Sequence, residues 1–507
     1  MINPGRKFTT LNEDQIWKIH RAALEILEHV GNKVEEEEAL QLLKNAGCRI
    51  DHNSIVKVPS SVVEEAIHSA PKRIVLADRL GNRRLFLEEG NSYFSPTAAC
   101  PRIYDVDTGE KRDWTKQDIA NVSILVDHLP NMDAIFPLGS LAEEYGTQCF
   151  IHEFDAMVRN TTKPIIYLAH GMEDLQVILD MAAAVAGGED QLRENPFLLF
   201  YDEVLAPLYH KRETVAKMLL CAGKGLPVRY GSLTMSGASS PCTMAGVLAQ
   251  SYAEALFGLV MVQLKRRGTP FMMAILPGIM DLQVGTLSSG APEYYQLQVA
   301  YAEICRYFRL PVMTTNGISD AKIPDGQAAV EATLGCWSAY AGGSQLSIGA
   351  GSLECHLIGS LEMIALADEV ISMIKRVYKG IEVDANGLAL QAIGEVGPRG
   401  NYLGHAHTLK NFKTAHWRPT VMDRNNYETW EQLGSKTMLQ RLREKVQKIL
   451  ADHHPLPLPE RLSEQLDRLV GTGAANKPAE HVEQADKVAS PSGSSIGGRI
   501  KWNYPAC

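Results

Sequence analysis

Apolar residues recur at three-to-four spacing near the start of the chain. Ile16, Ile19, Ala23, Ile26, Leu27 and Val30 form one stripe, the period of an amphipathic helix. Thr10-Leu11-Asn12-Glu13 opens that helix and Gly31 ends it. Ala39, Leu40, Leu42, Leu43 and Ala46 predict a second helix that stops at Gly47. A third is predicted over 60–69, where Pro71 bars extension. Arg73-Ile74-Val75-Leu76-Ala77 reads as a strand. From about Ser92 the rhythm changes, and short apolar runs alternate with helical stretches eight times. The predicted strands are 92–95, 133–138, 164–169, 197–202, 228–233, 271–276, 312–316 and 345–349. The helices between and after them begin near Thr115, Glu144, Met172, Lys211, Thr243, Pro292, Gln327 and His356.

Strands alternating with helices imply βαβ units and a parallel sheet. Eight units in roughly 290 residues are the size of a (β/α)₈ TIM barrel. A doubly wound open sheet is disfavoured, because no G-x-G-x-x-G turn follows the first strand. The expected division is a helical region over 1–90, a catalytic barrel over 91–378, a helical extension over 379–466 and a flexible tail over 467–507. The tail is assigned from its Gly, Ala, Ser, Pro, Lys and Glu content. A hairpin is expected around Asp107-Thr108-Gly109.

Composition narrows the function classes. Of 507 residues, 45% are hydrophobic and 21% charged, which is ordinary globular usage. A net charge of -9 lacks the basic footprint of a nucleic-acid binder. No run reaches about 18 uninterrupted apolar residues, so no membrane span is expected, and 247–264 reads as a buried helix. No secretory leader is legible after Met1. The nine cysteines are widely spaced and form no CxxC pair, which points to a reducing cytoplasm rather than a disulfide framework.

In such a barrel the active site sits at the C-terminal ends of the strands. Position alone nominates Tyr93, Phe94, His170, Tyr201, Glu203, Arg229, Tyr230, Asn316, Asp320 and His356 as substrate-binding residues. Several rings at one mouth suit a quaternary ammonium ion. Adjacent residues point to opposite sides of a strand, so Asp202 and Glu203 cannot both face the mouth, nor can Tyr93 and Phe94. Tyr201 shares its side with Glu203. His356, His170 or Arg229 would hold an anionic end of the substrate. No residue is assigned to acid–base or nucleophilic catalysis. Glu354-Cys355-His356 looks like a metal cluster, but sequence neighbours rarely ligate one ion together, and no H-E-x-x-H occurs. No P-loop and no G-x-S-x-G elbow is found.

Longer strings are more specific. The chain reads Gly397-Pro398-Arg399-Gly400-Asn401-Tyr402-Leu403-Gly404-His405-Ala406-His407, then Trp417-Arg418-Pro419, Asp423-Arg424 and Trp430-Glu431. Within the barrel stand Ser289-Gly290-Ala291-Pro292-Glu293 and the run from Ser319-Asp320 to Gly326-Gln327. These resemble the trimethylamine methyltransferase family of corrinoid-dependent enzymes, over roughly 8–466. The resemblance implies a barrel that moves a methyl group from an amine to cob(I)alamin. The founding members carry pyrrolysine at the mouth, whereas every residue here is a standard amino acid. That departure points to the members that demethylate quaternary amines such as glycine betaine, proline betaine, carnitine or butyrobetaine. The alternatives are a tertiary amine methyltransferase of the trimethylamine type, another barrel enzyme such as a lyase or a zinc-dependent methyltransferase, and a non-catalytic betaine-binding barrel.

No tightly bound cofactor is expected. Corrinoid modules carry D-x-H-x-x-G, and Asp51-His52 and Asp127-His128 lack its spacing. The expected partners are a separate corrinoid protein, a small quaternary amine and further copies of the chain in a homo-oligomer, with neither nucleic acid nor membrane.

Overall fold

The computed structural model describes residues 8–474. Seven parallel strands curl around one axis: β1 (Tyr93–Pro96), β2 (Ile165–Tyr167), β3 (Leu198–Val204), β4 (Val228–Ser236), β5 (Phe271–Asp281), β6 (Val312–Thr315) and β7 (Leu346–Ala350). Their order around the sheet is β1-β7-β6-β5-β4-β3-β2. The eighth expected strand, 133–138, is not regular. It nevertheless lies between β1 and β2, bonded to both. The Asp133 N–H donates to Phe94 O at 2.7 Å and the Leu138 N–H to Thr97 O at 2.7 Å, while the Ile166 N–H donates to Ile135 O at 2.8 Å. Two features explain the irregularity. Pro137 has no donor for a ladder, and Leu138 takes a left-handed φ of 66°. The fold is thus a TIM-type α/β barrel closed along one irregular seam.

Alternation along the strands sorts side chains into two layers. Leu199, Tyr201, Met272, Ala274, Leu276, Met313, Leu346 and Ile348 fill the barrel interior. Phe94, Leu198, Phe200, Tyr230, Met273 and Ile275 face outward into the helices. That outer layer is built by α1 (Glu13–Glu25), α2 (Glu37–Asn45), α3 (Ser60–Ser69), α4 (Lys116–His128), α5 (Cys149–Asn160), α6 (Met172–Ala186), α7 (Arg212–Lys224), α8 (Met244–Lys265), α9 (Pro292–Tyr307), α10 (Gly326–Gly342) and α11 (Leu361–Tyr378). The apolar α8 is long enough to cross a membrane, but 89% of its most apolar window is buried inside the protein. It is a core helix, as its sequence suggests.

The first ninety residues are less helical than expected. Asn32–Val34, Arg49–Ile50 and Ile55–Lys57 form a small sheet with Tyr209–His210. The strand at Ile74–Ala77 pairs antiparallel with Arg83–Leu87, a partner the sequence reading missed. This hairpin presents Ile74, Leu76, Leu85 and Leu87 to the interior layer and so plugs the N-terminal end of the barrel. The hairpin expected near Asp107 is present, with Arg102–Tyr104 paired to Lys111–Arg112. The eighth barrel helix starts at Leu361, not near His356, because a tight turn and the short strand Ile358–Gly359 come first.

At the C-terminal side, α12 (Met438–Asp452) packs on α11, and α13 (Glu460–Ala474) packs on α6. The last helix overruns the expected tail boundary at 467, because Leu466, Leu469 and Val470 continue its apolar stripe against the core. The remainder of the expected flexible tail lies outside the described residues.

The fit between strands sets one sharp test. A Cβ at Gly231 on β4 would sit 1.9 Å from the Ala274 carbonyl oxygen of β5. Backbone cannot move aside as a side chain can. Gly231→Ala is expected to cost about 3 kcal/mol or more, read as a lower denaturation midpoint. An unchanged midpoint would mean that β4 and β5 do not approach this closely.

Candidate active site

Two groups of polar side chains stand above the apolar interior. The first comes from β3 and β4. Tyr201 and Arg229 are register partners and therefore share the inward face. The Arg229 guanidinium lies 3.9 Å from the centre of the Tyr201 ring, and Phe136 packs on the same ring at 5.0 Å. Arg229 is fully buried. Its Nη1 donates to Asp202 O at 3.0 Å and stands 3.7 Å from Glu203 Oε1. The Tyr201 hydroxyl donates to the same carboxylate oxygen. Burial raises the Tyr201 phenol well above its ordinary range, so it remains a donor. Glu203 keeps 32% of its side chain exposed and is the charge this cluster offers to the mouth. Asp202 turns the other way, as alternation requires, and pairs with Lys217 of α7 at 2.9 Å.

The second group joins the loops after β5, β6 and β7. Asp320 accepts from Ser288 Oγ at 2.6 Å, the Ser289 N–H at 2.8 Å and the Gly290 N–H at 2.9 Å. Glu331 of α10 in turn accepts from Ser319 Oγ at 2.6 Å and the Asp320 N–H at 2.8 Å. The two distinctive strings, 289–293 and 319–327, are thus one structure in space, joined by the Asp320 carboxylate and braced by Glu331 just beyond the second string. Ser289 Oγ also meets Cys355 Sγ at 2.9 Å. Asn316 is buried; its Nδ2 donates to Ser347 O at 2.7 Å. Its Oδ1 has no hydrogen-bond partner among the described residues.

The turn after β7 is strained. Glu354, Cys355 and His356 take φ of 48°, 51° and 72° in succession. Each left-handed non-glycine residue costs on the order of 1–3 kcal/mol, and such strain gathers at functional sites. The turn points Cys355 at Ser289 and His356 at Thr97, whose Oγ1 lies 3.2 Å from His356 Nδ1. Cys355 and His356 therefore point to different partners. Burial pushes the His356 imidazole down to about 4, with Asp320 opposing, so it is neutral near pH 7.

This depressed value has a stability consequence. The unfolded chain takes up a proton near the ordinary histidine pKa of about 6.5, while the folded chain resists until about 4. Stability is thus full above about 6.5 and falls as pH drops from there towards 4. His210, buried and pushed down to about 3, acts in the same direction. His356→Asn, which tolerates a left-handed φ, is expected to shrink the loss of melting temperature between pH 6.5 and 4. An identical pH profile in the variant would deny His356 this role.

Of the ten nominated residues, the structure brings Tyr201, Glu203 and Arg229 together, and Asn316, Asp320 and His356 stand in or beside the second group. The other four lie elsewhere. Tyr93 begins β1 at the N-terminal end, where its hydroxyl accepts from the Phe86 N–H at 3.2 Å. Phe94 faces outward and stacks on Tyr340. Tyr230 also faces outward, against His210 at 2.9 Å, because Arg229 takes the inward position. His170 is exposed and joins neither group. An aromatic cage of Tyr93, Phe94, Tyr201 and Tyr230 is therefore not formed. Thr97, Ser289, Glu331 and Cys355 were missed as site residues. The signal for Ser289 and Glu331 was present, since both lie in or just beyond the two distinctive strings.

The sequence matches the profile of the family described as trimethylamine methyltransferase (MTTB) over residues 1–477. The chain belongs to the trimethylamine methyltransferase family. It is 33% identical over 460 residues to trimethylamine methyltransferase MttB of Desulfitobacterium hafniense, covering 90% of this chain and 92% of that one. It is 30% identical over 470 residues to a glycine betaine methyltransferase of the same species, covering 92% and 97%. Among solved structures, the monomethylamine methyltransferase MtmB of Methanosarcina barkeri aligns with a TM-score of 0.45 and 12% identity, over 88% of this chain and 95% of that one. The protein is an enzyme, a methyltransferase of the methylamine type.

Proposed function

We propose that this methyltransferase takes a methyl group from a quaternary amine and delivers it to cob(I)alamin carried by a separate corrinoid protein. The observation that carries the substrate class is Glu203. It is a half-exposed carboxylate at the mouth, steadied by the Tyr201 hydroxyl over an apolar interior. A permanent cation is the substrate that such a charge attracts. At 4 Å the attraction is about 4 kcal/mol for an effective dielectric near 20, before desolvation. A quaternary nitrogen leaves as a neutral tertiary amine, keeping the electron pair of the broken C–N bond, so no general acid is required. That agrees with a mouth whose histidine, His356, is neutral and buried. The corrinoid supplies the nucleophile; the chain's own residues bind the cation, aim one methyl outward and exclude water.

The partner has a footing on the same face. Exposed apolar side chains stand after β2, β3, β4, β5 and β7, in the loops or at the first residue of the next helix: Met172, Leu205, Met244, Leu282, Val284 and Leu357. Such a ring around a mouth suits a macromolecule that covers it.

The test is a substrate panel with reduced corrinoid protein, scored by the change in corrinoid absorbance. Glycine betaine, proline betaine, carnitine, butyrobetaine and trimethylamine form the panel. Turnover of a quaternary amine and none of trimethylamine is expected. Turnover of trimethylamine alone would favour the tertiary-amine reading, and tight betaine binding without product would favour a binding protein.

A further inference from the structure

The end of the barrel opposite the mouth holds a second cavity, of about 490 Å³, where β6 and β7 begin. Four cations line it, Lys72, Arg73, Arg306 and Arg309, against two carboxylates, Glu88 and Glu89. In a chain of net charge -9 this surplus runs against the whole. Two of the four cations are already matched. Arg73 stands 3.6 Å from Glu88, and Arg306 stands 3.9 Å from Glu303 and donates to Gly342 O at 2.8 Å. Lys72 and Arg309 form no ion pair among the described residues. The Lys72 ammonium donates to Ile67 O at 2.5 Å, in the last turn of α3. Burial lowers its pKa, and the neighbouring Arg309 charge lowers it further. An anion between the two would remove that repulsion.

Arg309 is also an unusual residue for its place. At the end of α9 the Arg309 N–H donates to Arg306 O at 2.9 Å and the Leu310 N–H to Cys305 O at 2.8 Å. This is the bond pattern that closes a helix through one left-handed residue, ordinarily glycine. The chain follows that custom at the ends of α6, α7 and α10, with Gly187, Gly225 and Gly343. At α9 it places an arginine at φ 54° instead, where a Cβ is sterically penalised. Backbone strain of this kind persists where a side chain is needed.

We infer that this cavity binds the phosphate group of a small organic phosphate, held between Arg309 and Lys72. A guanidinium matches two phosphate oxygens at once, and an ammonium adds a compact charge beside them. The phosphate group is far smaller than the cavity, and Pro71, Leu310 and Pro311 give a short carbon body an apolar wall to lie on. Glu88 and Glu89 limit the surplus of positive charge, which favours one phosphate over a chain of them. The ligand would bridge the segment that leads into the hairpin plug, Pro71–Arg73, and the segment that joins α9 to β6. It would therefore stabilise the folded chain by mass action.

The experiment is titration calorimetry and thermal melting of the full chain with glycerol 3-phosphate and with inorganic phosphate, against chloride at equal ionic strength. Both phosphates are expected to bind and to raise the melting temperature, glycerol 3-phosphate the more tightly. Arg309→Gly is expected to bind about tenfold or more weakly, the loss of one charge-assisted fork. Glycine suits the left-handed position, so this variant should melt no lower than wild type in chloride and keep its methyl transfer. Lys72→Gln is expected to weaken binding in the same direction. Binding of neither phosphate by the wild type overturns the inference, and so does an Arg309→Gly variant that keeps wild-type affinity. Equal affinity for the two phosphates overturns the organic part of it.

Discussion

Glu203→Gln is expected to raise KM for a quaternary amine by about 30- to 150-fold with kcat changed far less. The figure corresponds to about 2–3 kcal/mol, the part of the 4 Å attraction left after desolvation. Glutamine keeps the size of the side chain and an oxygen for the Tyr201 hydroxyl, so it removes charge and little else. It also leaves the Arg229 guanidinium, which is fully buried, without a counter-ion. An unpaired buried charge is strongly destabilising, so a lower melting temperature is expected alongside the KM effect. The two consequences separate on the double variant Glu203→Gln/Arg229→Met. Removing both charges should restore much of the stability and none of the affinity. If affinity returns with stability, Glu203 serves the barrel and not the substrate.

Asp320→Ala is expected to be the most damaging single change in the second group. It strands the hydroxyl of Ser288 and the N–H groups of Ser289 and Gly290, all within 2.6–2.9 Å of the carboxylate. Charge-assisted bonds contribute about 1.5–3 kcal/mol each, and their partial replacement by water leaves a net loss of about 3–5 kcal/mol. The loop that positions Ser289 against Cys355 is then released, and kcat/KM should fall by at least tenfold with every amine. Asp320→Asn accepts on one oxygen only and is expected to fall between wild type and alanine. An alanine variant with wild-type activity would show that the 288–290 loop has no part in the reaction. Both substitutions are measured by denaturant titration and by steady-state methyl transfer.

Much of the barrel was legible because its strands are short, apolar and regularly spaced. Seven of eight expected strands overlap observed ones, and the exception, 133–138, contains the proline that prevents a regular ladder. The small sheet at 32–57 was not legible: its strands have two or three residues, too few to show a period of two. At the site, alternation correctly separated Asp202 from Glu203, but it could not say which of Arg229 and Tyr230 faces inward. That choice depends on register with β3 and β5, which is a property of neighbours. Nor could alternation say that Tyr93 stands at the N-terminal end of its strand. The clamp from Asp320 to 288–290 spans a whole βα unit, and the turn at 354–356 uses backbone angles that its residue types disfavour. Both are consequences of tertiary structure that no local pattern encodes.

The seam at 133–139 makes this barrel unequal around its circumference. Opening the ring there breaks a handful of scattered bonds, whereas opening it between β4 and β5 breaks a paired ladder of nine residues on each side. Slow amide exchange should therefore be deepest across β4 and β5 and shallowest beside Pro137, so that the barrel breathes like a clasped bracelet. The clasp lies near Thr97 and Cys100, one loop from His356. Transient unfastening would loosen the wall that carries the neutral imidazole while the side that carries Glu203 stays shut.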